Sequence, residues 1–197
     1  MQLDPIAILI GPKGRGSNMA ALIKACAEGR VEARVAVVIA PKEDIPAVEN
    51  ARALGVLVEI IPPEPLETYG ARLLDAIGAD GSKWICLAGY TRLLPNEVLA
   101  AYPNRVLNIH PALLPKYGGK GMYGMRVHEA VLGSHDQESG CTVHFVSEQY
   151  DEGAIIHQRR VPILPTDTPE ELAHRVLDAE HLAYPEALAK VINESRR

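Results

Sequence analysis

Strand-like and helix-like stretches alternate along the first half of this chain, and that alternation limits the folds open to it. Residues 6–10 (IAILI) are an apolar run of strand length, followed by a Gly-rich turn at 11–16. Ser17 or Asn18 is placed to cap a helix running to about Glu28, with Met19, Leu22, Ile23 and Cys26 on one stripe. Residues 34–40 read as a strand, and 46–54 as a short helix with Pro46 in its first turn. A third strand at 56–60, a helix at 67–77 and a strand at 84–88 follow. Next come a short helix at 95–101, a strand at 106–109 and a helix at 127–132. Two late strands, 141–146 and 154–161, flank the turn signal Asp151-Glu152-Gly153. The start signal Thr-Pro-Glu-Glu at Thr168 opens a long helix to about Asn193, with a kink expected at Pro185. Strands alternating with helices make βαβ units and a parallel sheet. Right-handed crossovers gather the strand carboxyl ends on one edge, where ligands bind. The late pair adds an antiparallel part. The expected fold is therefore α/β.

The chain has 197 residues, which suits one domain over 1–197. Apolar residues make up 47%, enough for a full core, and one Trp and one Phe leave that core aliphatic. A formal charge of −5 weighs against a general nucleic-acid or membrane-surface binder. Cys26, Cys86 and Cys141 sit in apolar segments without paired spacing, as expected of reduced thiols in a cytoplasmic protein. The N-terminus MQLDPIAILIG has an acid where a signal peptide needs basic residues, and its apolar run is too short to span a bilayer.

The first turn, IGPKGRGSN, is neither GxGxxG nor a P-loop, so neither dinucleotide nor triphosphate binding is indicated. What remains is Gly14-Arg15-Gly16-Ser17-Asn18 at a helix start. There, close backbone approach, free N–H groups and the helix dipole favour a phosphate. An ordinary βα turn is the other reading.

The stretch LNIHPALLPKYGGKG begins at Leu107 as the tail of a buried strand and then changes character. Asn108 and His110, two apart, share one face, and Pro111 and Pro115 end the ladder beyond them. An amide that can donate to a developing oxyanion, beside an imidazole that can move a proton near neutral pH, suits acyl chemistry. Asp151, in the turn between the late strands, is a candidate partner. A carboxylate there favours imidazolium and raises the pKa of His110. Asp151 is also a natural turn residue before Glu-Gly. A metal held by His144, His157 and Asp151 is discounted, because no HxxxH or HExxH spacing occurs. A Ser-His-Asp hydrolase lacks its GxSxG elbow.

Taken together, GRGSN, LAGYTRLLP at 87–95, NIHPALLPKY at 108–117, TVHFVSEQYDEG at 142–153 and EHLAYPEAL at 180–188 resemble the glycinamide ribonucleotide formyltransferases, from about residue 6 to 190. The resemblance implies a Rossmann-like, mainly parallel twisted sheet flanked by helices. It implies formyl transfer from 10-formyltetrahydrofolate to the amine of glycinamide ribonucleotide in purine biosynthesis, without a metal, in a monomer or homodimer. By motif, it makes Asn108, His110 and Asp151 the catalytic trio, and Gly16, Ser17 and Asn18 the phosphate cradle. Thr91, Arg92, Leu93 and Leu94, with Asn108, become the folate-contacting segment. Glu180 resembles a residue that binds the ribose hydroxyls; otherwise it is a solvent-facing helix carboxylate. Arg92 could also pair with the cofactor's glutamate carboxylate.

The chain departs from the family pattern in places. GPKGRGSN is about two residues longer than the compact family form, and GGKGMYGMRVHEA is a variant loop. A basic or amide residue common one turn before the Glu of the last helix is Leu177, and an Arg expected early in the third helix is Leu66. Lys13, Arg15 or Lys120 is expected to supply the missing charge. Rival readings are transfer to an amino-sugar nucleotide, hydrolysis of formyltetrahydrofolate, and a non-catalytic folate-binding module. Transfer to methionyl-tRNA brings a further C-terminal domain, which is not expected after Arg197.

Overall fold

The computed structural model describes residues 3–197; Met1 and Gln2, part of the N-terminal stretch read above, lie outside the described residues. The sheet is built from β1 (Asp4–Ile10), β2 (Ala33–Ala40), β3 (Val58–Ile60), β4 (Trp84–Ala88), β5 (Val106–His110), β6 (Glu138–Phe145) and β7 (Ile155–Pro162). Their order is β3-β2-β1-β4-β5-β6-β7. The first five run parallel, while β6 and β7 pair antiparallel beyond β5. Strand order reverses between β1 and β4, and such a switch point opens a crevice at the carboxyl ends. The Asn-His strand end lies one strand beyond that reversal.

The helices are α1 (Ser17–Ala27), α2 (Pro46–Ala53), α3 (Leu66–Ala79), α4 (Asn96–Ala101), α5 (Met125–Gly133) and α6 (Pro169–Ser195). Side chains alternate across the sheet, so β1 feeds two cores at once. Ile6, Ile8 and Ile10 pack with α1, α2, α5 and α6, whereas Ala7 and Leu9 pack with α3 and α4. Leu107 and Ile109 join the first core. Asn108 and His110 therefore share the opposite face with Val106, where the second core ends.

α6 starts where its sequence signal places it. Thr168 Oγ1 accepts the Glu171 N–H at 3.2 Å, and the Glu171 carboxylate accepts the Thr168 N–H at 2.8 Å. The helix continues through Pro185 and lays eleven buried residues over the sheet. Tyr184 is fully buried, and its hydroxyl reaches the carbonyls of Leu87 at 2.9 Å and Leu107 at 3.0 Å. This contact ties α6 to β4 and β5.

α1 differs from expectation. Neither Ser17 nor Asn18 caps it; the N-cap is Gly16 at φ 72°, ψ 36°, with no side-chain cap. Glycine is required because a Cβ there would stand 2.8 Å from Ala47 Cβ and 2.9 Å from Met19 Cε, in a left-handed conformation that disfavours other residues. The buried stripe runs through Ala25, leaving Cys26 only partly covered. No helix among the described residues is long and apolar enough to cross a membrane.

Candidate active site

Three distant stretches meet at the end of β5. His110 is 4% exposed, and its Nδ1 lies 3.5 Å from Asp151 Oδ2. Its Nε2 is 2.7 Å from the Tyr117 carbonyl, which only accepts, so Nε2 carries a proton. Asp151 occupies the turn between β6 and β7 in a left-handed conformation (φ 58°). The Gly119 N–H donates to its Oδ2 at 2.9 Å. The loop beyond Pro115 is thus tied to the site at both Tyr117 and Gly119.

The fourth member, His144, was not singled out as a site residue from the sequence. β5 and β6 pair in the register Asn108↔His144, so the two side chains stand opposite each other on one face. Asn108 Nδ2 lies 3.2 Å from His144 Nε2, and His144 Nδ1 lies 2.8 Å from the Phe145 carbonyl. That carbonyl needs a proton on Nδ1, which leaves Nε2 free to accept from the Asn108 amide. Nε2 is also 3.6 Å from Asp151 Oδ1, so a doubly protonated His144 would pair with the carboxylate instead. What brings His144 here is the β5–β6 register, which no local sequence pattern specifies. His157 does not converge with it, because it pairs in register with Val143 and bonds Glu186 at 3.1 Å.

The charge state of His110 departs from expectation. Burial pulls its pKa below the ordinary 6.5, outweighing Asp151 and the Tyr117 carbonyl, which pull it up; His144 adds to the lowering. The carboxylate is present, but the ring is too deeply buried for it to hold a charge permanently. Burial works to raise the Asp151 pKa, yet His144, His110 and the Gly119 N–H together hold it below the ordinary 3.8. The pocket therefore contains an ionised carboxylate beside a neutral imidazole at neutral pH.

Thr142 fixes the turn that follows His110. Its hydroxyl donates to the Ala112 carbonyl at 2.7 Å and accepts the Leu114 N–H at 3.0 Å and Gln158 Nε2 at 2.9 Å. Thr142 is fully buried. It, too, went unnoticed in the sequence.

At the start of α1, Asn18 Nδ2 donates to Glu180 Oε2 at 2.7 Å, joining the Gly16-Ser17-Asn18 turn to α6. Glu180 is only 6% exposed, which removes the solvent-facing reading. Burial raises its pKa from 4.5 to about 7, with the Asn18 bond opposing the rise. Asn18 lies inside α1, one residue past its first position, and its Nδ2 joins α1 to α6, while its buried Oδ1 has no protein partner among the described residues.

The segment Thr91, Arg92, Leu93, Leu94 leaves the end of β4, beside β5, after Gly89 turns the chain at φ 69°. Leu94 is buried and anchors it, while Leu93 is 47% exposed. Tyr90 meets the Tyr69 hydroxyl at 3.2 Å, and burial, followed by Tyr69, keeps its phenol neutral. Arg92 is half exposed, 3.9 Å from Glu64. Leu66 begins α3 and is exposed. Where the sequence pattern led one to expect an Arg, Arg72 reaches back from the next turns to the carbonyls of Glu64 and Pro65, at 3.1 and 3.2 Å.

Comparison with known proteins shows the family of the chain. Residues 5–188 match the family described as "Formyl transferase". A phosphoribosylglycinamide formyltransferase of Escherichia coli is 34% identical over 91% of this chain and 83% of its own length. The chloroplastic phosphoribosylglycinamide formyltransferase of Arabidopsis thaliana is 43% identical over 92% of this chain, which spans 63% of that protein. The crystal structure of glycinamide ribonucleotide transformylase 1 from Symbiobacterium toebii superposes with a TM-score of 0.87 at 41% identity, over 95% of this chain and 87% of that one.

Proposed function

The chain belongs to the formyl transferase family, and from that premise we propose that it moves a formyl group from 10-formyltetrahydrofolate to the amine of glycinamide ribonucleotide. The observation that carries this reading is the meeting of Asn108, His110 and Asp151, with His110 Nδ1 3.5 Å from Asp151. Relatives named for the same reaction, at 34% and 43% identity, support it.

The folate segment is Thr91 to Leu94, at the sheet edge next to the trio. Two hydrogen-bonded tyrosines, Tyr69 buried and Tyr90 partly buried, and an exposed leucine suit a flat, partly apolar ring system. Arg92 is free enough to exchange its long contact with Glu64 for a ligand carboxylate. Gly16 and Ser17 offer backbone N–H groups to the acceptor's phosphate, and Glu180 accepts from its ribose hydroxyls.

The acceptor amine attacks the formyl carbon, forming one C–N bond while the bond to the folate nitrogen breaks. Negative charge builds on the formyl oxygen between these events. Asn108, with one amide N–H turned to His144, has a second N–H to offer that oxygen. His110 offers Nε2–H in place of its bond to the Tyr117 carbonyl. Its Nδ1 faces Asp151, so a proton taken there gives an imidazolium paired with a carboxylate. The imidazole thus becomes charged as the reaction develops. The amine loses one proton and the folate nitrogen gains one, so a relay through His110, or a water held by Asp151, balances the step. Cys86 and Cys141 are buried free thiols, in keeping with the cytoplasm.

The test is direct: supply the purified chain with 10-formyltetrahydrofolate and either glycinamide ribonucleotide, an amino-sugar nucleotide or water, and measure formyl transfer. Transfer to glycinamide ribonucleotide is expected. Exclusive hydrolysis, exclusive transfer to the sugar nucleotide, or no turnover would replace this reading.

A further inference from the structure

The loop that follows Pro115 holds both partners of the His110–Asp151 pair. The Tyr117 carbonyl lies 2.7 Å from His110 Nε2, and the Gly119 N–H donates to Asp151 Oδ2 at 2.9 Å. Gly118, between them, packs so closely that an added Cβ would stand 2.6 Å from Leu114 Cδ2 and 3.2 Å from Asp151 Cβ. Tyr117 itself has φ 58°, a left-handed conformation that a bulky side chain adopts only where its surroundings impose it. What imposes it lies outside the pocket, in the turn between α5 and β6. The Tyr117 hydroxyl is 2.8 Å from Asp136 Oδ2 and also meets Ser134 Oγ, so its single proton has two acceptors. Lys116 Nζ donates to both Asp136 carboxylate oxygens at 3.0 Å. The Tyr117 hydroxyl, followed by Lys116, holds the Asp136 carboxyl below its ordinary 3.8, so it is ionised at neutral pH. Ser134 Oγ is in turn fixed to α5 by the Val131 carbonyl at 2.7 Å. One side chain, Tyr117, thus connects a surface cluster to the buried imidazole.

The anchor matters because a neutral imidazole has one N–H proton, while His110 faces two acceptors. The Tyr117 carbonyl is within hydrogen-bond range of Nε2, whereas Asp151 Oδ2, 3.5 Å from Nδ1, is beyond an ordinary N–H···O bond. With the proton on Nε2, Nδ1 turns its lone pair toward the carboxylate. Were the carbonyl to withdraw, the proton would move to Nδ1 and bond Asp151, and Nε2 would meet the formyl oxygen bare. His144 on β6 and the buried His128 on α5 are the other titratable neighbours of the ring, and neither hydrogen-bonds it among the described residues.

We propose that Tyr117 is a positioning residue for the transfer: its hydroxyl, anchored on Asp136 and Ser134, holds its carbonyl against His110 and so fixes the tautomer that presents Nε2–H. This rests on the reading of His110 as the group that meets the formyl oxygen, and adds what sets its proton.

Kinetics and NMR of the full chain test it, with each variant confirmed folded by its Tm. Tyr117→Phe keeps the ring and removes the anchor; it should lower kcat about tenfold and leave both KM values within about twofold. Asp136→Ala should do the same. Asp136→Asn keeps an acceptor for the hydroxyl and should recover most of the loss. Tyr117→Phe and Asp136→Ala combined should cost little more than either alone. The imidazole nitrogen chemical shifts give a readout that a merely structural role would not move. Neutral His110 should carry its proton on Nε2 in the wild type, and on Nδ1 to a growing extent in Tyr117→Phe and Asp136→Ala. An unchanged tautomer in both variants would overturn the proposal whatever happens to kcat or Tm, as would a wild-type ring protonated on Nδ1. A wild type that transfers no formyl group would remove the proposed reaction and with it the catalytic role, an outcome the tautomer readout keeps separate from failure of the anchor.

Discussion

Asn108 and His144 face each other across β5 and β6, with the amide nitrogen 3.2 Å from the imidazole Nε2. The Phe145 carbonyl holds the proton of His144 on Nδ1, so the ring accepts one Asn108 N–H and thereby decides which way the amide points. His144→Ala should therefore lower kcat about tenfold by freeing that amide. In an Asn108→Ala background the same change should add little, because residues acting as a unit are not additive. A double-mutant cycle on kcat measures this, and full additivity would show that His144 acts elsewhere.

Glu180 gives the enzyme a pH dependence in two observables. Its folded pKa, about 7, stands above its ordinary 4.5. The folded state thus binds this proton more tightly than the unfolded state does. Stability from the neutral carboxyl is complete below about pH 4.5 and declines as pH rises toward 7, by about 3 kcal/mol in order of magnitude. Glu180→Gln should gain stability over the wild type above pH 7 and lose that advantage near pH 5, as urea unfolding at the two pH values will show. Ribose hydroxyls need an acceptor, so KM for the acceptor should fall between pH 6 and 8 in the wild type and stay flat in Glu180→Gln.

Tyr184 holds β4 and β5 together through one buried hydroxyl placed 2.9 and 3.0 Å from two carbonyls. Tyr184→Phe removes only that group and should cost about 1–2 kcal/mol. Thermal unfolding should drop by several degrees, about 2–4 °C per kcal/mol for a chain of this size. An unchanged Tm would mean that both carbonyls are satisfied without it.

Burial sets the charge of His110 more than Asp151 does, yet Asp151 still raises its pKa. Asp151→Asn should therefore shift the His110 titration lower still, away from 6.5. NMR titration of the imidazole resonances reports it, and a shift upward would show that Asp151 is not the partner.

The parallel half of the fold was readable because apolar runs, Gly-rich turns and helix caps fell at matching intervals. The Thr168 cap and Glu171 sat where their signal predicts. The shared face of Asn108 and His110 followed from strand period alone. What could not be read were relations between distant stretches. His144 depends on the β5–β6 register, which no local pattern specifies. The burial of Glu180 depends on how α6 docks against α1. Asn18 looked like a cap because Asn usually is one, but the left-handed turn at Gly16 starts the helix before it. The neutral His110 was missed for a similar reason, since sequence names a carboxylate partner but not the depth of the pocket.

One measurement bears most directly on the account: kcat for formyl transfer from 10-formyltetrahydrofolate to glycinamide ribonucleotide in Asn108→Ala and His110→Ala, each confirmed folded by its Tm. Loss of the amide or the imidazole should lower kcat at least about a hundredfold in each variant. Turnover near the wild-type rate in either one would contradict a reaction centred on the end of β5.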